Sequence, residues 1–419
     1  MRIHKNIYKV VFYILLILQV FYTDVEFLVG LSFSIIFLLL VEKRVLLSKS
    51  MYNFLAFTSF LLFLGVVSGL FHAYTFFDRI RDVVHFLKPI TVVLMGYLVI
   101  LKIDNTKFVL KSIVQVSIFF AIKHFIDIAL GDFVIWKISE IRYFGGAGNF
   151  LELVAIVLLI IFHKKSEIQI FRSTIVRSAS ILLLSISCIF YFSRTMVLGF
   201  IILLLSVYGF TKLSRKVIEY ATLLFIVFGL FFTYLFTLDL DVDKPGVEGF
   251  LFKIRNSPAE VFTSPKGYDP TNHKEIFKHW RGYEASKALK SMDNKPVNYI
   301  FGKGFGALAD LGFKAPVGGE DGLQFIPHFH NGYIYVLFKT GVIGLFFYLV
   351  LLINIYKQIY IKSKSSVEKI LREILSGFGI YFLLTSFVIT GIYNLGEISI
   401  FLLGVFLCLV HTESLKKEI

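Results

Sequence analysis

Charge is scarce in this sequence. Of 419 residues only 17% are Asp, Glu, Lys or Arg, against about a quarter in an average soluble domain. Cysteine is nearly absent: Cys188 and Cys408 are the two, and both sit in apolar runs. They leave no disulfide framework and no metal-ligand spacing. There is no repeat of short period, which excludes a solenoid, and no low-complexity tract. What is present is apolar. Hydrophobic residues make up 57% of the chain, 48 residues are Phe, and the mean hydropathy is +0.77. An ordinary cytosolic globule and a disordered chain are both excluded. The formal net charge of +14 points first to nucleic acid or acidic lipid. Where the charges sit decides between these readings.

A membrane helix needs about 20 mostly apolar residues. Twelve such runs, a few of them short, occupy roughly 10–22, 27–41, 51–70, 83–101, 112–130, 146–162, 178–192, 195–210, 217–237, 331–356, 374–392 and 397–411. The chain therefore reads as an all-α polytopic membrane protein with about 12 transmembrane helices. Runs 1 and 2 form a hairpin about Asp24 and Glu26. No run is followed by a small-residue cleavage site, so no removable signal peptide is expected. Lys and Arg set the orientation. One alternate set of connections, which includes both termini, carries 23 basic residues, and the short loops of the other set carry 5. Both termini are therefore expected in the cytoplasm. Ten connections are short, and one of about ninety residues faces outward. The organisation expected is nine helices in 1–237, a large, partly helical outer loop in 238–330, and three helices with a short tail in 331–419. Long loops are usually functional or disordered, and apolar and aromatic residues throughout this one argue against disorder. No inverted half-repeat of the transporter kind is visible.

Within the large loop, Asn272 and Glu275 have capping-box spacing. The segment 274–292 places Ile276, Phe277, Trp280 and Ala288 on one broad face, and Pro296 ends it. Arg281 lies at the edge of that face; its structural reading is a surface pair with Glu284 at i+3. The alternating glycines Gly302, Gly304 and Gly306 suit either an anion nest or a plain tight turn. They match neither a Walker loop nor a dinucleotide fingerprint. The loop ends at His328, Phe329, His330, Asn331, Gly332 and Tyr333. Two His at i, i+2 without a supporting third ligand are a weak metal signal. A His at a membrane–water boundary is also suited to general-base chemistry.

Ionisable residues in or beside membrane runs need a reason. Lys123 and Asp127 at i, i+4 neutralise one another. Lys339 lies two turns into the tenth run, on the face of Asn331 and Tyr335. Arg79, Arg81, Arg142, Arg194 and Arg281 all fall at outer ends or in the outer loop. Arginine holds phosphate in a bidentate fork, so a lipid diphosphate at the outer leaflet is the natural ligand. Scattered pairing with acids such as Asp78 and Asp82 is the structural alternative.

The run from His328 to Tyr333, followed by Lys339, Thr340, Gly341, Val342, Ile343, Gly344 and Leu345, resembles the C-terminal signature of the O-antigen ligase/polymerase family. Trp280-Arg281 with Ala285, the glycine turn 301–306 and Ser193-Arg194-Thr195 resemble further blocks of that family, as does the topology. At Arg142 the chain departs from the pattern, since only Asn149 matches the family's Asn-Pro-Asn.

The resemblance implies a metal-independent glycosyltransferase of the bacterial inner membrane, without cofactor, working on the periplasmic face. Its donor would be an undecaprenyl-diphosphate-linked oligosaccharide, and its acceptor a glycan or lipid A-core. A chain-length regulator or a flippase would be its protein partners. In that reading Arg194 and Arg281 neutralise the leaving diphosphate, with Arg79 and Arg81 as a secondary set. His330 is the base, and Asn331 positions it or caps the following helix. His328, Tyr333, Trp280, Gly302, Gly304 and Gly306 support the site. Polymerisation of O-antigen or capsule repeats is the leading expectation, ligation to lipid A-core the alternative, and a transporter or flippase a lesser one. The charge excess is then an orientation signal: the cytoplasmic connections carry +17 and the large loop is neutral. Nucleic acid drops out as a partner.

Overall fold

The computed structural model describes residues 5–41, 46–131, 141–142, 145–146, 148–240, 247–262, 279–293, 295–315, 322–394, 396 and 398–416. Apolar runs of this length must satisfy their backbone internally, and a helix does so within one segment. Among the described residues, nine helices precede the large loop: α1 (Lys5–Phe21), α2 (Val25–Val41), α3 (Lys49–Leu70), α4 (Phe76–Ile103), α5 (Thr106–Leu130), α6 (Phe150–Lys165), α7 (Thr174–Phe190), α8 (Arg194–Val207) and α9 (Arg215–Thr237). The loop region holds α10 (Val247–Phe262), α11 (Trp280–Lys290), α12 (Pro296–Phe301) and two strands, β1 (Ala309–Ala315) and β2 (Leu323–Ile326). Three helices follow: α13 (Gly332–Tyr356), α14 (Ser366–Thr385) and α15 (Ser399–Leu415). Each of the twelve apolar runs holds a helix. Five helices, including α3, α4, α5 and α13, are long and apolar enough to cross a membrane. Others, such as α7, α8 and α15, are shorter apolar helices.

The starts of the helices are written locally. The Ser48, Thr75, Asn105 and Ser365 side chains each accept the N3 backbone N–H of the helix they precede. Asp24 Oδ1 accepts from Phe27 N at 2.9 Å and turns the chain from α1 into α2. Lys123 and Asp127 are paired as their spacing suggests.

The centre of the bundle is α4, packed on α15 and flanked by α2 and α3. Small residues set the approach. A Cβ on Gly404 would stand 2.1 Å from the Val93 carbonyl oxygen, and one on Gly96 2.8 Å from that of Phe401. The ring of Phe86 closes one end of this core against Phe305, Tyr335 and Tyr393.

Two features of the large loop differ from expectation. Among the described residues the fold is helical except for one antiparallel strand pair, β1–β2, with Ala309 opposite Ile326 and Asp310 opposite Phe325. Four- to seven-residue strands interrupted by glycine carry too little alternation to register against so apolar a background. The helix expected over 274–292 is seen from Trp280, and Asn272, Glu275, Ile276 and Phe277 lie outside the described residues. Pro296 does not merely end a helix; it occupies the first turn of α12, where its missing N–H is no loss.

Candidate active site

The glycine turn locks the large loop to the bundle. Helix α13 is broken at Gly341, where φ is +71° and ψ −173°, a region essentially limited to glycine. The break releases carbonyls, and the turn fills the gap. Lys303 N donates to Phe338 O at 2.8 Å and Gly304 N to Lys339 O at 3.1 Å. Phe305 N donates to Gly65 O at 2.8 Å, and Gly306 N to Asp82 Oδ2 at 2.7 Å. Gly302 N is held by Asn298 O. With these N–H groups engaged inside the protein, Gly302, Gly304 and Gly306 form a tight structural turn and not a nest open to an anion.

Lys339 completes this joint. Its ammonium is fully buried, pairs with Asp82 of α4 and donates to Ala307 O at 2.6 Å. Removing one partner of such a pair strands the other charge, at about 3–5 kcal/mol. Lys339→Met is therefore expected to lower thermal stability in detergent sharply, and Asp82→Leu added to it to restore most of the loss. A double variant no more stable than the single would show that the pair is not the joint.

His330 stands just above this joint, at the start of α13. Asn331 caps the helix, with Oδ1 accepting from Tyr333 N at 3.1 Å and Ile334 N at 3.2 Å. Gly332 N donates to Ser386 O at 2.7 Å, and the Tyr333 hydroxyl donates to Leu383 O. Phe329 is buried against Phe338. His328 is half-buried, with its Nε2 enclosed, and stacks on His85 with centroids 3.9 Å apart. Burial, then the positive charges around it, press the pKa of His328 well below its ordinary value, so it is held neutral. His330 faces the other way, its side chain 48% exposed. The two imidazoles therefore sit in different environments.

Glu284 has a larger part here than its spacing from Arg281 suggests. It is buried at 4% side-chain exposure, and its Oε2 accepts both from His330 backbone N at 3.0 Å and from His330 Nδ1 at 2.8 Å. A carboxylate only accepts, so Nδ1 carries the proton and the lone pair of the neutral ring lies on Nε2. Helix α11 is aimed by its packing on the hairpin: the Tyr283 hydroxyl donates to Leu311 O. Trp280 lies against Tyr283 and Phe313, so it belongs to this small core. Arg281 lies one residue further along and one turn before Glu284, on the same side of α11. Spacing alone offers Glu284 as a surface partner for Arg281; its burial makes it a support for His330. The available signal was a carboxylate one turn from Arg281 at the border of the apolar face.

The other cations divide into two groups. Arg79 Nη2 donates to His72 O at 2.6 Å, and its stem lies against Gly306. Arg81 pairs with Asp78 at 2.8 Å. Both head groups are thus held at the start of α4. Arg194 is the first residue of α8, beside Arg142. Burial, then the Arg194 charge, lower the pKa of Arg142. Helices α8 and α14 run antiparallel, with Ser206 bonded to the Glu373 carbonyl and Gly199 against the Tyr381 ring. Carried forward, that register sets Arg194 level with about residue 386, the residue whose carbonyl holds Gly332. Arg194 and His330 thus flank the same end of α14.

Residues 179–349, somewhat under half of the chain, match the family model described as O-antigen ligase (Wzy_C). Neither the curated proteins nor the solved structures contain a match to the chain. The matched segment includes Arg194, Arg281, Glu284, His330 and Asn331, together with both sides of the Gly341 break. Over that segment the chain is similar to the O-antigen ligase family.

Proposed function

We propose that the protein is an inverting, metal-independent glycosyltransferase that polymerises undecaprenyl-diphosphate-linked oligosaccharide repeats on the periplasmic face of the bacterial inner membrane. In this reading all twelve apolar helices cross the bilayer, both termini are cytoplasmic, and 238–330 is the periplasmic loop. The observation that carries it is the Glu284–His330 pair, with a half-exposed imidazole held by a carboxylate one helical turn after Arg281.

The acceptor hydroxyl gives its proton to His330 Nε2 as its oxygen bonds to the anomeric carbon from the face opposite the donor phosphate. The bond between that carbon and the phosphate oxygen breaks, and its electron pair leaves on the lipid diphosphate. Arg281 and Arg194 neutralise the departing charge, with Arg79 and Arg81 as a secondary set held by His72 and Asp78. Glu284 fixes the tautomer and stabilises the imidazolium that forms. Glu284→Gln is expected to lower kcat at least about a hundredfold, as when the orienting acid of a catalytic triad becomes an amide. The acceptor KM and the melting temperature should change little, and unchanged turnover would remove the base assignment.

The family description favours a second reading, ligation of the finished glycan to lipid A-core or another acceptor. Purified protein given synthetic lipid-diphosphate oligosaccharide in EDTA, with and without acceptor, separates the two. Products of increasing length from donor alone indicate polymerisation, and a single transfer that needs the acceptor indicates ligation. Absence of both in EDTA, with recovery on adding metal, would refute metal independence.

A further inference from the structure

At the end of the bundle opposite His330 lies a cleft of about 610 Å³, bounded by the ends of α6 and α8, the connection 357–365 and the first turns of α14. Since α14 has 20 residues, it spans about 30 Å, close to the hydrocarbon thickness of a bilayer. The cleft therefore lies at the other membrane boundary. Lys165, Lys212, Lys362, Lys364, Lys369 and Arg372 line it. Among the described residues only Arg372 of these has a carboxylate ion-pair partner, Glu368. The orientation rule asks only that lysines lie in these connections; it does not ask that lysines from three separate segments converge on one cleft. Two further observations bear on what would fill it. Glu373, buried in the wall, has an Oε2 atom with no hydrogen-bond partner. The rim is exposed and apolar, with Tyr208, Phe210, Leu213, Tyr360 and Ile361 facing outward.

We propose that this cleft binds a glycerophospholipid headgroup that carries a phosphodiester anion together with a hydroxyl or ammonium donor. The lysines meet the phosphate, Glu373 Oε2 takes the donor, and the apolar rim lies along the acyl chains. A free anion would use the lysines but neither of the other two features. The inference does not depend on the chemistry assigned to His330, because binding is read without turnover.

Full-length protein in neutral detergent, titrated with phosphatidylglycerol and followed by thermal melting and native mass spectrometry, tests it. Phosphatidylglycerol and phosphatidylethanolamine are expected to stabilise the protein and to remain bound. Phosphatidylcholine, whose headgroup has no donor, and inorganic phosphate are expected to bind at least about tenfold more weakly. The triple variant Lys212→Gln, Lys362→Gln, Lys369→Gln should lose about tenfold or more in apparent phosphatidylglycerol affinity, and the corresponding arginine triple should retain it, which separates lost charge from lost folding. Equal binding in the glutamine triple, equal stabilisation by phosphatidylcholine, or full competition by inorganic phosphate would each overturn the proposal.

Discussion

His330→Ala is expected to lower product formation by about a thousandfold, the middle of the range for a positioned general base, with little change in the amount of folded protein. The side chain is half exposed, so its removal opens no core cavity. The Glu284 carboxylate keeps the bond from the residue-330 backbone N–H, 3.0 Å long in the native protein, and is not stranded. What disappears is the atom that accepts the acceptor's proton. Because His330 and Glu284 act as a unit, their losses should not add. The double variant with Glu284→Gln should be no slower than His330→Ala alone. Near-normal polymer from His330→Ala, measured with purified protein and synthetic donor, would end the assignment.

Arg281→Ala is expected to cost about a hundred- to a thousandfold in kcat, the range for removing one preorganised donor from a developing negative charge. Arg281→Lys should recover part of this, since it restores charge without the planar fork that grips two phosphate oxygens. Arg81, of the secondary set at the start of α4, should matter less to turnover when replaced. A near-normal rate in Arg281→Ala, or a larger loss in Arg81→Ala, would move the diphosphate from α11 to the start of α4. Varying the donor concentration in the same assay reads the donor KM. An Arg that acts mainly on the leaving group changes kcat more than KM.

The placement of His330 shows how far local chemistry reaches. Asn331 is a cap by residue type, and it caps α13. Gly341 and Gly344 sit in a signature that marks a family, but nothing near them in the chain indicates that α13 is broken at Gly341. That break exists because the turn at 302–306, some forty residues earlier, donates its N–H groups into it. The same turn suits an anion nest when read alone, and only its partners on α3, α4 and α13 show that its N–H groups are already engaged.

Hydropathy alone was enough for the helical runs, the alternation of basic connections and the isolation of one large loop. These follow from the backbone's need for internal hydrogen bonds in lipid and from the translocation bias of Lys and Arg, both local properties of composition. Residue type and position also made His330, Arg281 and Arg194 candidates, and the family resemblance gave them their proposed roles. Pairing was not legible. Glu284 lies 46 positions before His330 and Asp82 lies 257 before Lys339; in each case a buried carboxylate is matched to its cation or imidazole by helices meeting in space. A linear pattern offers Glu284 an arginine three residues away and Asp82 one at the next position, and both offers are reasonable. Burial selects otherwise: once water is removed, a charge must be met by whatever donor the packing delivers, and the packing delivered His330 and Lys339.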